Sequence, residues 1–194
     1  MTVAGTKPPF AQYHPRNSMM VSRSVQSRGF TLVELIIVIL IIGILAAIVM
    51  PRFTSASQTA AGAALMQDLR YIRTQIQVYA SQHHSTPPGY PNGDMSASPS
   101  ESVFLAQMLN PTSADGQVGT SNSPIFRFGP YLAEMPRNPV NQESLIKVLG
   151  NGELMPPTPP TGPTSFGWIY KPSTAEFRPY VPGQDENGTY FYDY

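Results

Sequence analysis

One apolar run constrains this chain more than any other feature. Residues Leu35 to Met50 read LIIVILIIGILAAIVM, 16 residues without a polar side chain. Phe30 to Glu34 extend the run to 21 residues before Pro51. At ~1.5 Å per helical residue it spans roughly 31 Å, the thickness of bilayer hydrocarbon. A segment in lipid must close its own backbone hydrogen bonds, so its many Ile and Val residues are expected in a helix despite their strand preference. Arg23 and Arg28 precede the run and are expected to hold that end in the cytoplasm. Everything past Pro51 is then exported.

The charge distribution agrees with two compartments. Twelve basic and twelve acidic side chains cancel over the 194 residues. Residues 1–29 nevertheless hold Lys7, Arg16, Arg23 and Arg28 and no acid, whereas residues 30–194 hold eight basic and twelve acidic side chains. A +4 start joined to a −4 remainder argues against a nucleic-acid-binding domain, and no nucleic-acid partner is expected. The absence of cysteine excludes disulfides, thiolate metal sites and cysteine nucleophiles.

Glu34 is the one residue that does not suit lipid. A carboxylate at mid-helix costs on the order of 2.5–3.5 kcal/mol on insertion scales, and less near an end. Its position in the first helical turn offers one explanation, because a negative charge there is favoured by the helix dipole. The flanking residues offer another. Arg28-Gly29-Phe30-Thr31-Leu32-Val33-Glu34, the apolar run and Pro51 resemble the class III signal of type IV pilins and type II secretion pseudopilins. The match covers about Arg28 to Phe53.

That resemblance implies cleavage between Gly29 and Phe30 by a prepilin peptidase, N-methylation of Phe30, Glu34 as the assembly residue and a helix kink at Pro51. It implies a mature protein that enters the inner membrane once, N-terminus cytoplasmic and C-terminal domain periplasmic or extracellular. It further implies self-association into a helical filament, driven by an inner-membrane assembly platform and its ATPase. The 29-residue leader is long for the family, and starting at Met20 would leave ten residues that still carry Arg23 and Arg28. Residues 1–18 have no helical or strand pattern and are expected to be disordered. The rival is an ordinary signal peptide cut near Thr54-Ser55-Ala56, which would release a soluble domain. The length of the run and the presence of Glu34 speak against it.

The helical pattern is expected to continue past Pro51, since proline in a membrane helix kinks more often than it terminates. Leu65, Leu69, Ile72, Ile76 and Tyr79 step by four, three, four and three, an apolar stripe on one helical face. Pro87-Pro88-Gly89 sets a limit, so the helix is read as ending near His84. Ser98-Pro99-Ser100-Glu101 reads as a second helix start, with Ser98 at the cap, and Asn110-Pro111 as its stop. Thr112 to Pro124 reads as a mobile loop and Ile125 to Phe128 as a short strand. Ser144 to Leu149 reads as a strand. Phe166–Lys171 and Glu176–Tyr180 read as a hairpin with Phe166, Trp168 and Tyr170 on one face and Ile169 on the other. Tyr190 to Tyr194 reads as a last strand.

The expected fold is α+β and pilin-like: a long N-terminal helix, half membrane-spanning and half amphipathic, packed on a small antiparallel C-terminal sheet. Its parts are a removed leader, 1–29 (1–18 not translated if Met19 or Met20 is the start), a membrane and assembly helix, 30–50, and an amphipathic continuation, 51–84. A connecting region, 85–143, with a short helix over 99–109, leads to a sheet region, 144–194. Gly129-Pro130-Tyr131-Leu132, Asn138-Pro139 and Gly167-Trp168-Ile169-Tyr170 resemble the major pseudopilin group more loosely. The chain lacks the cysteine-bounded loop of many type IV pilins, which leans towards a secretion pseudopilin.

Catalytic chemistry is not expected. His83 and His84 read as cations near a helix C-terminus. No Ser-His-Asp set or nucleotide-binding glycine motif is in reach. Asp185-Glu186-Asn187-Gly188, with Asp193, raises calcium, because the resembled pseudopilins bind it in a C-terminal loop and oxygen ligands suit it. The stretch does not match that family's loop well, and a solvated turn without any cofactor is the expectation. Two function classes follow. One is a structural subunit of a pseudopilus serving protein export, or of a pilus for adhesion, motility or DNA uptake. The other is a tip or minor pilin acting as a binding module. The roles implied for Phe30 and Glu34 favour the first.

Overall fold

The computed structural model describes residues 29–120 and 123–194, and of residues 50–56 the backbone alone. The leader residues before Gly29, with Met19, Met20, Arg23 and Arg28, lie outside the described residues. The chain divides into two compact units, Met1–Ile44 and Leu45–Tyr194.

Helix α1 is Leu32–Gln82. In the first unit its residues other than Glu34 are apolar or glycine and exposed, which is how a lipid-facing surface looks in the absence of lipid. Pro51 lies inside the helix and does not end it, as expected. In the second unit the stripe Leu65, Leu69, Ile72, Ile76 and Tyr79 is buried and forms one wall of the main core. The helix stops at Gln82, two residues before the expected end. The chain leaves it through two residues with left-handed backbone, His84 (φ 54°) and Ser85 (φ 64°), and Ser85 N–H donates to the Ala80 carbonyl at 2.9 Å.

Helix α2, Glu101–Leu109, starts later than the sequence suggested. Its cap is Ser100, whose hydroxyl accepts from Val103 N–H at 3.3 Å. Glu101 is therefore the first helical residue and does not fold back on the cap. Its carboxylate reaches across to accept from Ile146 N–H at 2.7 Å, which ties α2 to the start of the sheet. Asn110 follows as the C-cap.

The sheet holds β1 (Ile146–Val148), β2 (Trp168–Lys171) and β3 (Glu176–Pro179) in the order β1-β2-β3. β2 and β3 form the expected hairpin, antiparallel, with Tyr170 opposite Phe177. The expectation of a wholly antiparallel sheet is corrected at β1, which pairs parallel to β2 with Ile146 opposite Trp168. The long proline-rich connection between Leu149 and Phe166 makes this geometrically feasible, since parallel neighbours need a crossover of a dozen or more residues. The two faces of β2 divide as its alternation requires. Trp168 and Tyr170 enter the main core with Phe104, Met108 and Phe177, while Ile169 packs with Leu149 and Tyr192 in a second cluster.

Three expectations fail in the loops. Thr112 and Ser113 are buried, and Thr112 bridges both Val118 and Phe128, so the start of the segment read as mobile is a fixed part of the fold. Ile125–Phe128 is no strand; Phe128 takes part in one isolated bridge. The last aromatic residues form a 3-10 turn, Phe191–Asp193, not a strand. Backbone bonds outside any regular element supply much of this order, among them Thr112 N–H to the Phe128 carbonyl at 2.8 Å and Asp193 N–H to the Tyr190 carbonyl at 3.0 Å.

Candidate assembly site

Thr31, Leu32, Val33 and Glu34 form the start of α1. Thr31 donates its backbone N–H (2.9 Å) and its hydroxyl (3.0 Å) to Glu34 Oε2, and Glu34 N–H donates back to the Thr31 hydroxyl at 3.2 Å. This is a reciprocal capping box. It satisfies two of the exposed donors at the helix start, Thr31 N–H and Glu34 N–H, and holds the carboxylate on its own chain. Phe30 stands outside it, 81% exposed. Glu34 stands out in the sequence as a lone acid, whereas its capping partner Thr31 does not. The signal was present as Thr-x-x-Glu before an apolar run.

Glycine at position 29 is not required by the chain's own packing. Among the described residues a Cβ there would meet nothing within 4 Å, and its backbone is not in the left-handed region. Gly43, within the apolar stretch, is equally free of neighbours. Leu32–Val49 is long and apolar enough to cross a membrane.

His83 and the acidic loop both have hydrogen-bond partners within the fold. His83 is buried, 2% exposed, with its ring stacked on Tyr79 at 3.8 Å and Phe128 and Tyr131 edge-on to it. Its Nδ1–H donates to the Tyr79 carbonyl at 2.7 Å, which fixes the tautomer, so Nε2 accepts from the Thr112 hydroxyl at 2.9 Å. Burial pushes its pKa below the ordinary value and the neighbouring His84 adds to this, against backbone bonds to Tyr79 and Ser113. The reading of His83 as a helix-end cation is therefore corrected: it is a neutral core residue. In the acidic loop, Asp185 accepts from Asn187 N–H, Thr189 N–H and the Tyr194 hydroxyl at 2.8–2.9 Å. Those bonds, the Tyr194 hydroxyl first, hold its carboxyl below the usual range. Glu186 accepts from the Thr59 hydroxyl at 3.0 Å. Among the described residues no group of three or more His, Cys, Asp or Glu side chains converges as a metal would need.

Comparison with known families places the prokaryotic N-terminal methylation motif on residues 25–50. No curated protein and no solved structure matches the chain. The motif spans Gly29 and Phe30, the capping box and the apolar stretch together. The chain thus carries the pilin-type class III signal, and its long helix and three-stranded sheet form an α+β pilin-like fold. That signal belongs to proteins processed by a prepilin peptidase ahead of pilus assembly, with an apolar N-terminal helix suited to membrane anchoring.

Proposed function

We propose that this chain is a structural subunit of a type II secretion pseudopilus, cut between Gly29 and Phe30, methylated at Phe30 and polymerised through its N-terminal helix to support protein export. The observation that carries the reading is one carboxylate at the head of a lipid-length helix inside the methylation motif. Glycine at 29 supports it, since nothing in the fold calls for glycine there. The cytoplasmic start, the exported C-terminal unit and the assembly platform with its ATPase follow from the same reading, as does a non-enzymatic role without cofactor. The lack of cysteine favours a pseudopilin over an adhesive, motility or DNA-uptake pilin.

Intact-mass measurement and N-terminal sequencing of the membrane-extracted protein test it. The expected product begins at N-methylated Phe30. A product beginning near Ser57 would mean an ordinary signal peptide and a released soluble domain. Loss of exported proteins on deletion, with pili and motility intact, would separate the pseudopilus from the pilus.

A further inference from the structure

The chain contains three Asn-Gly pairs, Asn92-Gly93, Asn151-Gly152 and Asn187-Gly188. At each, the backbone nitrogen of the glycine is placed to attack the asparagine side chain and close a five-membered ring. Glycine has no Cβ to shield that nitrogen or to restrict the backbone rotation that closure needs. The sequence makes the three pairs alike, and the fold makes them different.

At Asn151 the side chain is engaged at both ends. Its Nδ2 donates to the Met95 and Ala97 carbonyls at 3.0 and 3.2 Å, and its Oδ1 accepts from the Tyr90 hydroxyl at 2.8 Å. At Asn92 the side chain is exposed, but the glycine is held. Gly93 N–H donates to the Tyr90 carbonyl at 3.2 Å, and a Cβ on Gly93 would lie 2.9 Å from the Asp115 carbonyl oxygen. That backbone has no room to swing. Asn187 and Gly188 are both exposed. Among the described residues nothing lies within 4 Å of a Cβ built on Gly188. Gly188 N–H closes a turn on the Asp185 carbonyl at 3.1 Å, and the Asn187 side chain lies beside the Asp185 carboxylate. These bonds stay within one short exposed loop, which opens at less cost than packed backbone does.

We infer that Asn187 is a site of spontaneous deamidation. The Gly188 nitrogen gives up its proton to solvent base and bonds to Asn187 Cγ. The Cγ–Nδ2 bond breaks, and the departing group takes a proton from water and leaves as ammonia. The succinimide then takes up one water at either carbonyl and opens to aspartate or isoaspartate. One water is consumed, one ammonia is released, and nothing is oxidised or reduced. Aspartate adds a carboxylate next to Asp185 and Glu186. Isoaspartate adds a methylene to the backbone inside the turn, where Asp185 Oδ1 accepts from Asn187 N–H and Thr189 N–H at 2.8 and 2.9 Å. The same loop bonds α1 through Glu186 and Thr59, and the C-terminal turn through Asp185 and Tyr194, so the modification bears on both contacts.

The full chain, folded in detergent, is incubated at mildly alkaline pH in heavy-oxygen water, and samples are digested for peptide mass analysis. The peptide holding Asn187 should gain the mass of an amide-to-acid exchange with heavy oxygen and separate into aspartate and isoaspartate forms. It should do so roughly tenfold faster than the peptide holding Asn151, where three hydrogen bonds must first break, and faster than the one holding Asn92. In urea the three peptides should convert at comparable rates. Asn187→Gln, which would need a larger ring, should show no conversion at that position. Conversion at Asn187 no faster than at Asn92 or Asn151 in the folded chain overturns the inference. The same lead for Asn187 in urea also overturns it, because the neighbouring sequence and not the fold would then select the site.

Discussion

At the scale of single residues, His83 separates what a pattern of residues can tell from what packing adds. Two histidines at a helix end look like cations facing the dipole. The fold instead puts one ring between Tyr79, Phe128 and Tyr131, and both its nitrogens are engaged. The partner Thr112 lies 29 residues away, and no local spacing marks it. The energetic consequence has a definite sign. Burial lowers the pKa in the folded state below the ordinary 6.5. Below about that pH the unfolded chain takes a proton that the folded chain refuses, so stability is fully present above it and is lost as pH falls, until the folded-state value is passed. The limiting slope for one proton is about 1.4 kcal/mol per pH unit. The melting temperature of the protein in detergent should therefore drop between pH 7 and pH 5, and His83→Gln should flatten that drop. Equal slopes for wild type and His83→Gln would mean that some other group titrates.

At the scale of elements, periodic segments were legible and irregular ones were not. The stripe from Leu65 to Tyr79 and the alternation of Trp168, Ile169 and Tyr170 follow from the geometry of helix and strand, and the structure has both. The parallel pairing of β1 was hidden because strand direction is set by a crossover that has no periodicity of its own. The start of α2 shows how a motif can mislead by two residues. Ser98 and Ser100 both satisfy the rule for a cap, and Pro99 suits the first helical position after Ser98. Glu101 decides between them, because its bond to Ile146 N–H draws the helix start to Ser100. Ser100→Ala should thus cost about 1 kcal/mol of stability, read as a lower melting temperature. Ser98→Ala should be near neutral. If the two losses are equal, or the larger falls on Ser98, the helix begins where the sequence suggested.

At the scale of the whole molecule, the question is whether Glu34 serves its own helix or a filament. The capping box gives the carboxylate an occupation within one chain. Pairing with a neighbour would give it a different one. After cleavage an α-amine at Phe30 stays largely protonated at neutral pH, and methylation keeps the charge. Placed against Glu34 of an adjacent subunit, the amine removes two charges from lipid together and fixes the axial step. Apolar packing alone cannot do so, because lipid competes equally well for an Ile-rich surface. Two substitutions separate these roles. Glutamine can still accept from Thr31 as a capping residue but carries no charge, whereas alanine removes both. Glu34→Gln should therefore insert at least as well as wild type and be cut after Gly29, since the junction is intact, yet assemble poorly. Glu34→Ala should assemble no better. Membrane insertion, processed mass and filament yield measured in the same strains check this. Normal assembly of Glu34→Gln with failure of Glu34→Ala would assign Glu34 to capping alone and remove the charge from the assembly mechanism.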